Sequence, residues 1–243
     1  MCLRLIDVDT CQFASAAQLL EEENALQNGG PLKYRILSHR WLGDADEVKY
    51  DELSQQTVAR DKKGYLKVIR KCELARRNGL RFVWLDTCCI DKCSSAELQE
   101  SINSMYQWYQ ESFECYVHLR DTDLDLMSSS NINIGQDGWF ERAWTFKTCS
   151  SEDHQHGLKQ QIHERTGISI SLLANEACLD DFSIAERMSW AAGRKASVVE
   201  DRAYSLFGLF NINLPMLYGK RENAFLRLQE EISKTGDDHS IFA

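Results

Sequence analysis

Three short, nearly continuous apolar runs punctuate the first half of the chain: YRILSH at 34–39, FVWL at 82–85 and CYVHL at 115–119. Runs of this length, bounded by polar residues, read as buried strands. Between the first two, Tyr65, Val68, Ile69, Cys72 and Ala75 fall on one face of a helix over 64–78, and Gly79 is placed to stop it in the left-handed conformation. After the second, Ser94 and Glu97 have capping-box spacing, and Leu98, Ile102, Met105, Tyr106 and Tyr109 recur along one helical face. Strand, helix, strand, helix, strand predicts an α/β class fold, with a doubly wound, mainly parallel sheet covered on both faces. Right-handed crossovers then bring the strand ends near His39, Asp86 and Asp121 to one edge, where open α/β sheets hold ligands.

The flanks are simpler. Residues 2–8 alternate weakly, as a short edge strand does, and 14–26 read as a helix ended by NGGP. A helical turn is expected within 48–53. The polar stretch 121–138, with serines at 128–130, reads as a surface loop, and WFERAW at 139–144 as an aromatic segment docking back on the core. From 158 the pattern is helical: 158–165, 171–175, 183–192, 200–210 and 222–234, with a second capping box at Ser183 and Glu186 and a break at Pro215. The expected division is an α/β domain over 1–157 and a helical extension packed on it over 158–243.

Composition narrows the function. With 43% hydrophobic residues in 243 the chain can bury a substantial core. A net charge of −9 argues against general nucleic-acid binding or an anionic membrane surface. The basic group Arg60, Lys62, Lys63, Lys67, Arg70, Lys71, Arg76 and Arg77 reads as the solvated face of the 64–78 helix. No run reaches the roughly 20 apolar residues of a membrane span, and a soluble, cytoplasmic protein is expected. Nine irregularly spaced cysteines in a reducing compartment read as small buried hydrophobes rather than a disulfide scaffold.

Several chemistries can be weighed on residues alone. Neither a phosphate-binding loop nor a dinucleotide fingerprint is present. Cys88, Cys89 and Cys93, with His39 on the neighbouring strand end, lack paired zinc-ligand spacing, so no metal is expected. Cys88 or Cys89 is either a thiol nucleophile with His39 as base or a buried structural cysteine. Asp86 and Asp91, followed by Glu97 and Glu100, are placed to stabilise an oxocarbenium-like transition state or hold a ribose hydroxyl; the alternative is capping and solvation. Arg142 between Trp139 and Trp144 either clamps an anion or packs in a structural sandwich.

The blocks ILSHRW (36–41), VWLDTCCIDK (83–92), INSMYQWY (102–109) and WFERAWT (139–145) resemble the heterokaryon-incompatibility (HET) domain family of filamentous fungi. AERMSWAA (185–192), EDRAYSL (200–206) and LPMLYG (214–219) resemble the helical extension that often follows that domain. The resemblance implies a TIR/flavodoxin-like fold and an effector role in non-self recognition. Such an effector triggers cell death by self-association or through other incompatibility and NTPase-repeat proteins. It nominates Ser38, His39, Trp41, Cys88, Arg142 and Trp144 as ligand contacts, with Asp86 and Asp91 as the catalytic candidates. Some TIR-like domains cleave NAD with a glutamate, which makes NAD a candidate substrate and leaves no cofactor expected. In this chain Thr148 stands where that glutamate is expected and Ala143 where the family has glycine. The sequence therefore carries three expectations: a signalling domain without chemistry of its own, an NAD-cleaving enzyme in which Asp86 or Asp91 replaces the glutamate, or a decayed copy. It reads as either a stand-alone effector or a fragment of a longer protein.

Overall fold

A computed structural model describes residues 3–25, 31–55, 62–120, 137–145, 156–174, 176–235 and 238–242. Among them, β1 (Ile6–Asp7), β2 (Gln12–Phe13), β3 (Tyr34–His39), β4 (Phe82–Trp84) and β5 (Glu114–His118) form one sheet in the order β2-β1-β4-β3-β5. β3 and β4 are parallel, with Ile36 opposite Trp84, whereas β1 runs antiparallel to both β2 and β4. The sheet is mixed, which corrects the expectation of a mainly parallel one. The cause is the β1–β2 link. Only Val8, Asp9, Thr10 and Cys11 separate the two strands, enough for a hairpin and far too few for a crossover. β1 is also no edge strand, because β2 lies outside it.

Contacts between Cα atoms divide the chain into two units, Met1–Leu98 with Ser112–Tyr116, and Gln99–Glu111 with Val117–Ala243. In the first, α1 (Ala16–Ala25), α2 (Tyr50–Ser54) and α3 (Lys63–Arg77) accompany the sheet, and α4 (Ser95–Glu111) begins there. β3 is buried at all six positions, Arg35, Ser38 and His39 included, so it shows no alternation between a core face and a solvent face. α3 buries Val68, Cys72 and Ala75 as its apolar stripe requires. It ends in a Schellman motif: Gly79, at φ +74°, donates to Arg76 O at 3.0 Å, and Leu80 donates to Ala75 O at 3.0 Å. The basic face is only partly solvated, since Lys67 is buried on the apolar side.

The second unit carries α5 (His156–Thr166), α6 (Ile170–Leu173), α7 (Ile184–Ala191), α8 (Asp201–Tyr204) and α9 (Asn223–Ile232). The Ser183–Glu186 capping box at the start of α7 forms in both directions. The helix expected over 200–210 is broken instead. After α8 the chain continues as a 3-10 turn at Gly208–Phe210 and leaves it through Asn211 at φ +53°. Gly208 lies so close to Tyr106 that a Cβ there would collide with that residue's own Cβ. No helix among the described residues is long and apolar enough to cross a membrane. Asp121 and the serines at 128–130 lie outside the described residues.

One backbone contact of the first unit fixes the loop after β3. The Gly64 N–H donates to Asp46 O at 2.8 Å, and a Cβ on Gly64 would lie 2.5 Å from that oxygen and 2.9 Å from Glu47 Cα. The 46–48 segment is thereby pinned to the first turn of α3. Gly64→Ala should destabilise the protein by about 1–3 kcal/mol, because the clash is with backbone that cannot rotate away. Urea denaturation followed by circular dichroism checks this, and an unchanged midpoint would show that the contact is slack.

Candidate functional site

Parallel pairing places the ends of β3 and β4 side by side. Three residues beyond Ile36 comes His39, and two beyond its partner Trp84 comes Asp86. The result is a hydrogen bond of 3.0 Å between His39 Nε2 and Asp86 Oδ1. The other ring nitrogen, Nδ1, is 2.8 Å from Lys67 Nζ. Lys67 also donates to both oxygens of Glu47, at 2.6 and 2.8 Å, and Glu47 Oε1 accepts the Leu42 N–H at 2.8 Å. An ammonium has donors and no acceptor. His39 Nδ1 must therefore accept from Lys67, which leaves the Nε2–H to donate to Asp86. Asp86 Oδ2 takes a further bond, from Trp41 Nε1 at 2.9 Å.

Burial along this chain of groups is graded. The side chains of His39, Lys67 and Glu47 are 1%, 4% and 5% exposed, Asp86 is 18% exposed, and Trp41 is 42% exposed. Lys92 lies over the Trp41 ring, 4.1 Å from its centroid, and donates to Thr87 O at 3.2 Å. Burial by itself would raise the Asp86 pKa. The hydrogen bond from His39, the Lys92 ammonium and the Trp41 N–H outweigh it and hold Asp86 down to about 2. Burial lowers Lys92, opposed chiefly by Asp86. Asp86 is thus a fixed anion with both oxygens occupied. It can stabilise positive charge or accept from a hydroxyl, and it is ill suited to donate a proton at neutral pH.

With this geometry in hand, residues 34–131 match the family model described as Heterokaryon incompatibility protein (HET). Residues 34–131 thus carry a HET domain. The matched span contains His39, Trp41, Glu47, Lys67, Asp86 and Lys92. The chain is also similar to the vegetative incompatibility protein HET-E-1 of Podospora anserina, at 39% identity over 244 residues. That similarity covers 89% of this chain and 18% of the relative, so the chain spans less than a fifth of that protein's length. No solved structure matches.

The other nominated residues of the HET domain have separate roles. Asp91 Oδ1 accepts the Cys93 N–H at 2.9 Å in the turn that opens α4. Glu97 Oε1 accepts from the Asp91 N–H at 2.8 Å and from Arg4 at 2.7 Å, while the Ser94 hydroxyl accepts the Glu97 N–H at 3.3 Å. Only half of the expected capping box forms, because Arg4 and Asp91 claim the carboxylate. Ser38 is buried on β3, next to His39 and pointing to the opposite face by strand alternation. Cys88 is fully buried with its thiol 4.0 Å from Leu85 O, and burial pushes the Cys89 thiol up. Among the described residues no group of three or more His, Cys, Asp or Glu side chains is arranged to hold a metal ion.

Arg142 and Trp144 belong to the second unit and lie beyond the family match. Arg142 Nη2 donates to Ser197 Oγ at 3.1 Å, and Trp144 Nε1 donates to Asp201 Oδ2 at 3.2 Å. Burial pushes Asp201 up against the hydrogen bonds from Trp144 and Tyr218. Thr148 lies outside the described residues. The second unit also has a groove of about 630 Å³ lined by Asn103, Tyr106, Gln107, Arg187 and Asn213. Asn103 Oδ1 and Arg187 Nε are buried there without a hydrogen-bond partner.

Sequence reasoning missed Lys67, Glu47 and Lys92. Lys67 had a readable signal, because it falls among Gly64, Val68 and Ala75 on the buried face of α3. Glu47 had none, since it sits in a loop with no periodicity.

The buried network can be probed in two ways. Lys67→Met alone or Glu47→Gln alone should cost about 3–5 kcal/mol in urea denaturation, since each leaves a buried charge without its partner. The double variant should cost much less than the sum. Asp86 has a folded pKa below its ordinary 3.8, so its stabilisation is present above about pH 4 and lost as the pH falls towards 2. It amounts to about 2 kcal/mol at neutral pH. Stability measured from pH 7 down to 2 should lose that slope in Asp86→Asn. An identical slope in the variant would mean that Asp86 is not held as described.

Proposed function

We propose that this chain is an effector domain of fungal vegetative, or heterokaryon, incompatibility, acting in the cytoplasm and promoting cell death by self-association or by binding other incompatibility proteins. The observation that carries this reading is the similarity to an incompatibility protein along 89% of the chain. Partners of the NTPase-repeat type are part of the proposal. The site geometry favours a framework role over chemistry. Asp86 has both oxygens engaged by His39 and Trp41, Asp91 caps a turn, and Glu97 is tied to Arg4.

The test is to express the full chain in a filamentous fungus as a fusion to an inducible oligomerisation domain. Forced association should kill, and survival at high expression under forced association would overturn the reading.

A second reading, cleavage of NAD at the nicotinamide–ribose bond, is favoured by one feature. An ionised Asp86 lies at the ends of two parallel strands beside the partly exposed Trp41 ring, an arrangement able to face an oxocarbenium-like transition state. The doubly wound, TIR/flavodoxin-like architecture implied by the family resemblance belongs with this reading. It predicts nicotinamide release by concentrated purified protein, abolished in Asp86→Asn, and absence of release from the wild type removes it.

A further inference from the structure

The groove of about 630 Å³ in the second unit is lined, among its polar groups, mainly by side-chain amides. Asn103, Gln107 and Gln110 follow one another at spacings of four and three along α4, which sets them on one helical face over about 10 Å. Asn211 and Asn213 face the groove from the segment that follows Gly208–Phe210, with the buried Ile212 between them. That segment is closed by the Ile212 N–H on Phe207 O at 2.9 Å and passes through Asn211 in the left-handed conformation, at φ +53°. It meets α4 where Gly208 abuts Tyr106: a Cβ on Gly208 would lie 2.0 Å from Tyr106 Cβ. Both walls are held by close packing, so the groove is formed before anything enters it.

A single exposed amide is hydrated like any surface group, but here five converge on one groove. Among the described residues the side chains of Gln110, Asn211 and Asn213 make no hydrogen bond. Gln107 spends only its N–H, on Glu111 Oε1 at 2.6 Å, and Asn103 spends its own on Gln99 O at 2.9 Å. Charge is balanced, because the one basic residue of the lining, Arg187, lies 3.7 Å from its one acid, Asp180. Such a lining has no net field to draw in a phosphate or a metal cation. An amide is donor and acceptor at once, so it matches a ligand that itself alternates N–H and C=O. An extended polypeptide does this, and at about 3.3 Å per residue roughly three of its residues span the α4 row. Leu172 and Leu179, both half-buried in the same lining, give apolar side chains a seat between the polar contacts.

We propose that this groove binds an uncharged polypeptide segment in extended conformation. The backbone of the segment bonds Gln107 and Gln110 on one wall and Asn211 and Asn213 on the other, and its apolar side chains rest on Leu172 and Leu179. Peptide binding of this kind does not require the chain to kill on association.

The test pans a phage-displayed library of random nonapeptides on the immobilised full chain. The enriched peptide is then synthesised with blocked ends and a fluorophore and titrated by anisotropy. Gln110 and Asn213 are exposed, so Gln110→Ala and Asn213→Ala leave the core untouched. Each should raise the dissociation constant about fivefold, and the pair about 25-fold, with an unchanged circular dichroism spectrum. In the wild type, the same peptide should shift the side-chain NH2 signals of Gln110, Asn211 and Asn213 in a nitrogen-15 NMR titration. Maltopentaose, which would bring hydroxyls to the same amides without a peptide backbone, should not displace it. A library that enriches no peptide, NH2 signals that stay in place, full binding by the folded double variant, or displacement by maltopentaose would each overturn the proposal.

Discussion

The ion pair of Lys67 and Glu47 is the interaction on which the rest of the HET domain's polar interior depends. Both side chains are almost wholly withdrawn from water, and desolvating two charges costs several kcal/mol per ion unless their remaining valences are filled. They are filled here. Glu47 takes two bonds from Lys67 and one from the Leu42 N–H, and Lys67 spends a further donor on His39 Nδ1. That last bond decides where the imidazole proton sits, and hence that Asp86 is met by a donor. A single lysine on the buried face of α3 thereby orients residues from β3, from the loop after β3 and from the end of β4.

Much of this is legible in the sequence, for reasons specific to each element. Buried parallel strands have no solvent face, so β4 announces itself as a continuous apolar run and β3 as a run without solvent-face alternation, and parallel register then places His39 and Asp86 together. Gly79 and the Ser183–Glu186 pair signal helix ends through local chemistry alone. Failures arise where tertiary partners override local pattern. Arg4 is remote in sequence, and it draws Glu97 away from a full capping box. A strand of two residues is too short to show a period, so the antiparallel β1–β2 hairpin and its effect on the sheet stay hidden. Lys67 reads as solvated because it stands in a run of basic residues, although its helical position puts it inward.

The same geometry limits what Asp86 can do. Asp86 has each oxygen engaged by one donor and a strongly stabilised negative charge, which makes it a poor proton donor while leaving it able to face positive charge. Such a group is suited to holding two strand ends and a tryptophan in fixed relation, which an association surface requires. Trp41 and Lys92, which lies over its ring, are the exposed parts of the cluster, so the cluster presents a shaped surface backed by a buried interior.

The most direct measurement compares killing by Asp86→Asn with killing by a variant of matched stability that leaves the Asp86 charge intact, both under forced oligomerisation in a fungal host. The account predicts that the two kill equally, with activity following the folded fraction. Loss of killing in Asp86→Asn alone, at equal stability and expression, would contradict it and make the carboxylate itself the working group.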